Sequence, residues 1–173
     1  LIGIPQFLDP SPQRDSSRPV DGPGNIQEVQ GREHLNLGEQ PDPTYYNSSP
    51  PTSGTHSPSW VRCGIFDDPI PDEIQVHNLE HGFINIQYNT QDEVSIAMLK
   101  TIAEDLPGWP NYYILAPYQD MEHTLALTAW GVVQYLDIVD HKPILDFANA
   151  YRMRGPEEGA PGCEPGASME GSS

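Results

Sequence analysis

Positive charge is scarce in this chain: 8 lysines and arginines stand against 25 aspartates and glutamates, a formal net charge of -17. Long-range repulsion of that size opposes nucleic acid and anionic membrane surfaces as partners. Long hydrophobic runs are missing too. No stretch approaches the roughly 20 apolar residues of a membrane-crossing helix, so no membrane span is expected in these residues. Cysteine is limited to Cys63 and Cys163, 100 positions apart and in no CxxC metal pattern. No Gly-rich phosphate loop follows a strand, and Ser53 lies in no nucleophile elbow, which argues against the common phosphoryl- and acyl-transfer classes.

What the chain does hold is proline and glycine, 19 and 15 among 173 residues, with 36% hydrophobic residues. That composition predicts one domain's core with irregular segments around it. Residues 1–30 read as an extended N-terminal arm or tether, because Pro5, Pro10, Pro12, Pro19 and Pro23 interrupt helices and confine strands to edges. Ile4, Phe7 and Leu8 suit an arm that docks on its own domain or on another copy; arms exchanged between copies join subunits into filaments. Residues 31–165 read as a single domain and residues 166–173 as a flexible tail. If the two cysteines pair, they close a loop worth about 4 to 5 kcal/mol by chain entropy, and such a bond requires an oxidising compartment. Leu1-Ile2-Gly3-Ile4 is expected to be the remnant of an apolar leader or anchor. The expected location is extracytoplasmic, secreted or anchored through a segment before residue 1.

Residues 83–88 alternate as a half-buried strand. Residues 92–106 carry apolar side chains at helical spacing behind an acidic first turn, and Pro107-Gly108 ends them. Residues 112–117 read as a second strand, 124–136 as a longer one broken or bulged at Gly131, and 143–151 as a closing helix with proline in its first turn. This order predicts an α+β fold: a small, mainly antiparallel sheet with two helices on one face, a long irregular N-terminal arm and a C-terminal tail stapled by a disulfide. Met98, Trp130, Tyr135, Phe147 and Tyr151 are expected in the core. Asn47-Ser48-Ser49 fits a glycosylation sequon.

The chemistry concentrates in Val76-His77-Asn78-Leu79-Glu80-His81-Gly82. Two imidazoles four positions apart, on one helical turn or in a tight loop, can hold one ion. The stiff Pro50-Pro51-Thr52-Ser53-Gly54 turn aims His56 at a fixed spot, and His34 or the Met121 thioether offers a further ligand, with His123 in place of Met121 as a variant. Imidazoles with sulfur favour copper, and imidazoles alone suit zinc or copper. The plainer alternative is structural: His77 and His81 bond backbone and carboxylates, and Glu80 forms a salt bridge. A third reading takes His77-x-x-Glu80-His81 as the inverted zinc-peptidase pattern, with Glu80 activating water. His141 reads as a solvated flank.

The motifs at residues 50–56, Trp60 with Cys63-Gly64, residues 76–82, Thr128-Ala129-Trp130-Gly131 and Cys163 together resemble an uncharacterised bacterial family, a domain of unknown function numbered thirty-one zero five. Gly31-Arg32-x-His34 is similar to that family's first element, and the likeness covers residues 31–165. The resemblance implies a secreted or anchored protein and brings no activity. The combined expectation is an extracytoplasmic, non-enzymatic protein whose partner is a copper or zinc ion held by His56, His77 and His81 with His34 or Met121. The alternative is an extracellular filament subunit whose residues 1–30 join the next copy.

Overall fold

A computed structural model describes residues 21–157 and residue 163. The apolar positions Ile4, Phe7 and Leu8 of the expected arm and the expected tail 166–173 lie outside the described residues. The elements in chain order are β1 (Asn25–Ile26), β2 (Gly64–Ile65), α1 (Asp72–Glu80), β3 (Ile84–Tyr88), α2 (Glu93–Glu104), β4 (Tyr113–Pro117), β5 (Leu125–Ala129), β6 (Val132–Leu136) and α3 (His141–Tyr151).

The strands form one six-stranded sheet in the order β1-β6-β5-β3-β4-β2. The expectation of a mainly antiparallel sheet is corrected: β4 runs parallel to both β3 and β2, while β5 pairs β3, β6 pairs β5 and β1 pairs β6 antiparallel. The cause is α2. A 12-residue helix between β3 and β4 is long enough to carry the chain back across the sheet, so β4 enters beside β3 in the same direction. Residues 124–136 are also two strands, because Trp130-Gly131 turns the chain into a β5–β6 hairpin with Gly131 at φ 72°. A left-handed turn position favours glycine.

The expectation of two helices on one face is corrected as well. α2 and α3 cover one face, where Leu99, Ile102, Ala103, Ile144 and Phe147 pack with Ile84, Ile86, Leu115, Leu125 and Leu127. A third helix, α1, lies on the opposite face. It shows no apolar stripe because Gln75 to Glu80 are all buried, polar and apolar alike, so no face remains for a helical period to mark. Its covering makes all five residues of β3 buried. On the polar side of β3, Gln87 donates to Gln75 at 2.7 Å and accepts from the Thr128 hydroxyl at 2.9 Å. Met98 proves exposed on the outer side of α2 rather than in the core. Among the described residues no helix is long and apolar enough to cross a membrane.

The irregular segment before α1 is tied down by polar contacts. The Asn78 side chain accepts from the Val61 N–H at 3.0 Å and donates to its carbonyl at 2.9 Å, and the Ser57 N–H donates to the Glu73 carbonyl. Cys63 and Cys163 are disulfide-bonded. The chain after α3 passes close under the end of α1, where the Met153 N–H donates to the Gly82 carbonyl and the Glu157 N–H to the Glu80 carbonyl.

Replacing both cysteines by serine should lower unfolding free energy by about 4 to 5 kcal/mol if loop entropy dominates; a urea midpoint equal to that of the native chain would contradict this. A pH effect follows from Asp72 in the first turn of α1. Burial, with Glu73 and Asp120 nearby, pushes its carboxyl up to about 6, against the opposing bond from Tyr118. An acid with a raised folded-state pKa holds its proton more tightly when folded, so its stabilising contribution is complete below about 4 and is lost as pH rises through about 6. Asp72→Asn should therefore flatten the stability profile between pH 4 and 7, and thermal melts at the two ends of that window check it.

Candidate metal centre

Two extended segments bring the first ligands together. Residues 31–35 run beside residues 54–57: Gly54 N–H donates to the Gly31 carbonyl, His56 N–H to the Glu33 carbonyl at 3.0 Å and Leu35 N–H to the His56 carbonyl at 2.7 Å, with His34 and His56 bridged in parallel register. Tyr45 and Tyr46 hold the second segment through Thr55. One helical turn of α1 then presents His77 and Glu80, three positions apart on neighbouring surface. The outcome is a cluster in which one ligand atom each from His34, His56, His77 and Glu80 lies within 4.8 Å of the others.

The hydrogen bonds fix which atoms face inward. His56 Nδ1 lies 2.7 Å from the Gly54 carbonyl and His77 Nδ1 2.8 Å from the Ser57 carbonyl. A carbonyl only accepts, so both rings carry a proton on Nδ1 and turn Nε2 toward the centre, the arrangement that prepares imidazoles for a metal. His56 Nε2 is 3.0 Å from Glu80 Oε2, and His34 Nε2 is 3.7 Å from the same oxygen. Four ligands about 2.0 to 2.1 Å from one tetrahedral ion lie roughly 3.3 Å apart; the two contacts at Glu80 Oε2 bracket that spacing, and the whole set, within 4.8 Å, could close on one ion. His56 thus faces an oxygen at each nitrogen. With no ion bound, Nε2 reaches Glu80 Oε2 by donating a proton; an ion between them takes that proton's place and leaves Nε2 and Oε2 as ligands.

Charge states suit the same purpose. Burial would raise the Glu80 carboxyl, but the bonds from His56 and Arg32 outweigh it and hold its pKa at about 2. Burial, reinforced by His56 and His81, pushes the His77 ring down to about 4 against the Ser57 bond. At neutral pH the centre therefore offers an anionic carboxylate and a neutral imidazole. Arg32 donates from Nε to Glu80 Oε1 at 2.9 Å, so Oε2 is the oxygen left facing the histidines. Trp60, 5.3 Å from the His77 ring, and Trp130, 6.4 Å from the His56 ring, flank the cluster, while the His34 side chain is about half exposed, 49%.

The structure thus brings together His34, His56 and His77. His81, the C-cap of α1, sits at the edge of the group with Nε2 3.1 Å from His77 Nε2. Met121 stands elsewhere. It follows β4 three residues after Tyr118, whose hydroxyl reaches Asp72, and so lies toward the opposite end of α1 from His81; its carbonyl accepts from Asn89. His123 bonds Asp137 and stacks on Tyr135, and His141 pairs with Asp105 at 3.4 Å. From sequence, Glu80 reads as a salt-bridge partner or a base and not as a ligand, and Arg32 only as part of the Gly31-Arg32-x-His34 motif. The available signal was alternation: Arg32 and His34, two apart in an extended segment, share one side.

A mixed-sheet α+β protein with a disulfide and a histidine–carboxylate cluster able to hold a metal ion is the class that fold and geometry define. The chain belongs to the family described as protein of unknown function (DUF3105), which matches residues 39–164. His56, His77 and Glu80 lie inside that span, whereas Arg32 and His34 precede it. No curated protein and no solved structure matches the chain.

Glu80→Gln removes the charge that Arg32 and His56 share. In the metal-free protein it should cost about 2 kcal/mol, the scale of hydrogen bonds to charged groups; urea unfolding at pH 7 measures it, and an unchanged midpoint would contradict the pairing.

Proposed function

We propose that this chain is an extracytoplasmic, non-enzymatic protein that holds one transition-metal ion, zinc or copper(II), at His34, His56, His77 and Glu80, with His81 as an adjoining ligand. The observation that carries the reading is the convergence of three imidazoles and one carboxylate within 4.8 Å. Two backbone carbonyls that set the tautomers of His56 and His77 support it. Nitrogen ligands with one oxygen suit zinc and copper(II), and the Met121 backbone is bonded to Asn89 rather than to a segment of the cluster. The Cys63–Cys163 bond is consistent with an oxidising compartment.

Glu80 fits a ligand better than a water-activating base. Arg32 occupies one of its oxygens, and the other faces His56 and His34 inside the cluster, which is the place of a ligand rather than of a base beside a bound water. The filament reading rests on residues 1–30.

Titration of the metal-free chain with zinc or copper(II) should saturate at about one ion per chain, read by calorimetry or elemental analysis. His34→Ala removes a half-exposed ligand and should weaken binding about tenfold or more while leaving the far-ultraviolet spectrum intact. The double variant His77→Ala, His81→Ala should lose retention altogether, and Met121→Leu should bind as the native chain does. Unchanged stoichiometry in the histidine double variant would overturn the site.

A further inference from the structure

The C-terminal segment reaches the cluster from outside, through the residue that holds Glu80. Arg32 makes two ionic contacts with different parts of its guanidinium: Nε with Glu80 Oε1 and Nη2 with Glu157 Oε1. Glu157 stands 125 positions away in sequence and belongs to the stretch after α3. That stretch is fastened to the metal-facing helix by backbone. Met153 N–H donates to the Gly82 carbonyl at 2.8 Å, and Glu157 N–H donates to the carbonyl of Glu80 itself at 3.1 Å. The crossing is close enough to need two glycines. A Cβ on Gly155 would overlap the Glu80 carbonyl oxygen and the Gly82 nitrogen, and one on Gly82 would lie 2.8 Å from the Met153 backbone. Cys163, six residues beyond Glu157, is bonded to Cys63, so the segment is covalently returned to the same domain.

We infer that Arg32 and Glu157 are positioning residues for the metal ligand Glu80: the C-terminal segment holds Arg32 through Glu157, and Arg32 holds Glu80 so that Oε2 is presented to the ion. The inference rests on the metal-site reading given above. A carboxylate has two oxygens and rotates about its last bond, and partners outside the coordination shell decide which oxygen a metal meets. A guanidinium presents several donors in a fixed fork, so one arginine can join two carboxylates in a set geometry. Glu157 matters because it reduces the freedom of an arginine that is otherwise 41% exposed.

Electrostatics and positioning make opposite demands at Arg32, which gives the test its sign. A cation beside a metal ion repels it, so charge alone predicts that Arg32→Gln tightens binding. Positioning predicts that it weakens. The experiment uses the full, disulfide-bonded chain, native and as Arg32→Gln, Glu157→Gln and the double variant, titrated with zinc ion alone in competition with a chelator. Cobalt(II) serves as a spectroscopic reporter, and metal-free melting curves show that each variant folds.

Arg32→Gln and Glu157→Gln should each weaken zinc binding about 10-fold, within the range of about 10- to 100-fold for residues that orient ligands. The double variant should lose no more than Arg32→Gln alone, because both act along one path. The visible cobalt spectrum should change in the same variants. Tighter binding by Arg32→Gln would overturn the inference and make Arg32 a competitor of the metal for Glu80. Multiplying losses in the double variant, or native affinity and spectrum in both single variants, would overturn it too. If Arg32→Gln does not fold, the exposed Glu157→Gln carries the test, and native affinity there is decisive against it. Absence of zinc binding by the native chain would instead remove the metal-site reading beneath it.

Discussion

A buried carboxylate is the constraint on which the rest of this molecule turns. Glu80 is 3% exposed at the end of a short helix, and an ionised carboxylate withdrawn from water costs several kcal/mol unless charge and hydrogen bonds surround it. The chain surrounds it with Arg32 and His56, and the two come from extended segments that must lie side by side for both to reach. The backbone bonds between residues 31–35 and 54–57 provide that alignment. The same alignment carries His34 to the carboxylate, so the histidine cluster follows from satisfying one charge.

The sheet explains why a nine-residue helix can bury so much polar surface. α1 lies on the face opposite α2 and α3, where β3 offers Gln87 beneath it. Gln75, Gln87 and Thr128 form a bonded chain between helix and sheet, and Asn78 grips both backbone groups of Val61. Apolar packing of Val76 and Leu79 with Trp130 and Tyr46 accompanies these bonds. Polar groups buried in this way fix one arrangement of helix, loop and sheet, since any shift leaves them unpaired. A rigid platform of that kind is what a preorganised ligand set needs.

Much of the outer frame was legible because its elements show one-sided periodicity. α2 announces itself through an apolar stripe and the Asp92 cap, which accepts from Ser95. α3 has Asp140 as its cap, and β3 and β4 sit in runs bounded by turn residues. The inner elements were not legible for the opposite reason. α1 is buried on nearly all sides and has no polar face to contrast with an apolar one. Gly131 marks a break in residues 124–136, but a bulge and a reversal look alike there, and β1 and β2, two residues each, are strands only by virtue of their neighbours. At the centre, His34, His56 and His77 could be named from residue type and loop stiffness. Met121 could be named on the same grounds, yet β4 and its following turn carry it away.

By itself the sequence determined the acidity of the surface, the caps and periods of the outer helices, the supply of imidazoles and the two cysteines available for a staple. These are local or compositional properties, readable without knowing what lies across the fold. Tertiary structure alone decided that β4 enters parallel to β3, and that Arg32, His56 and Glu157 meet at Glu80. Such contacts depend on where each crossover returns and on which buried charge must find a partner; the length of α2 permits a parallel return, but spacing along the chain does not select it.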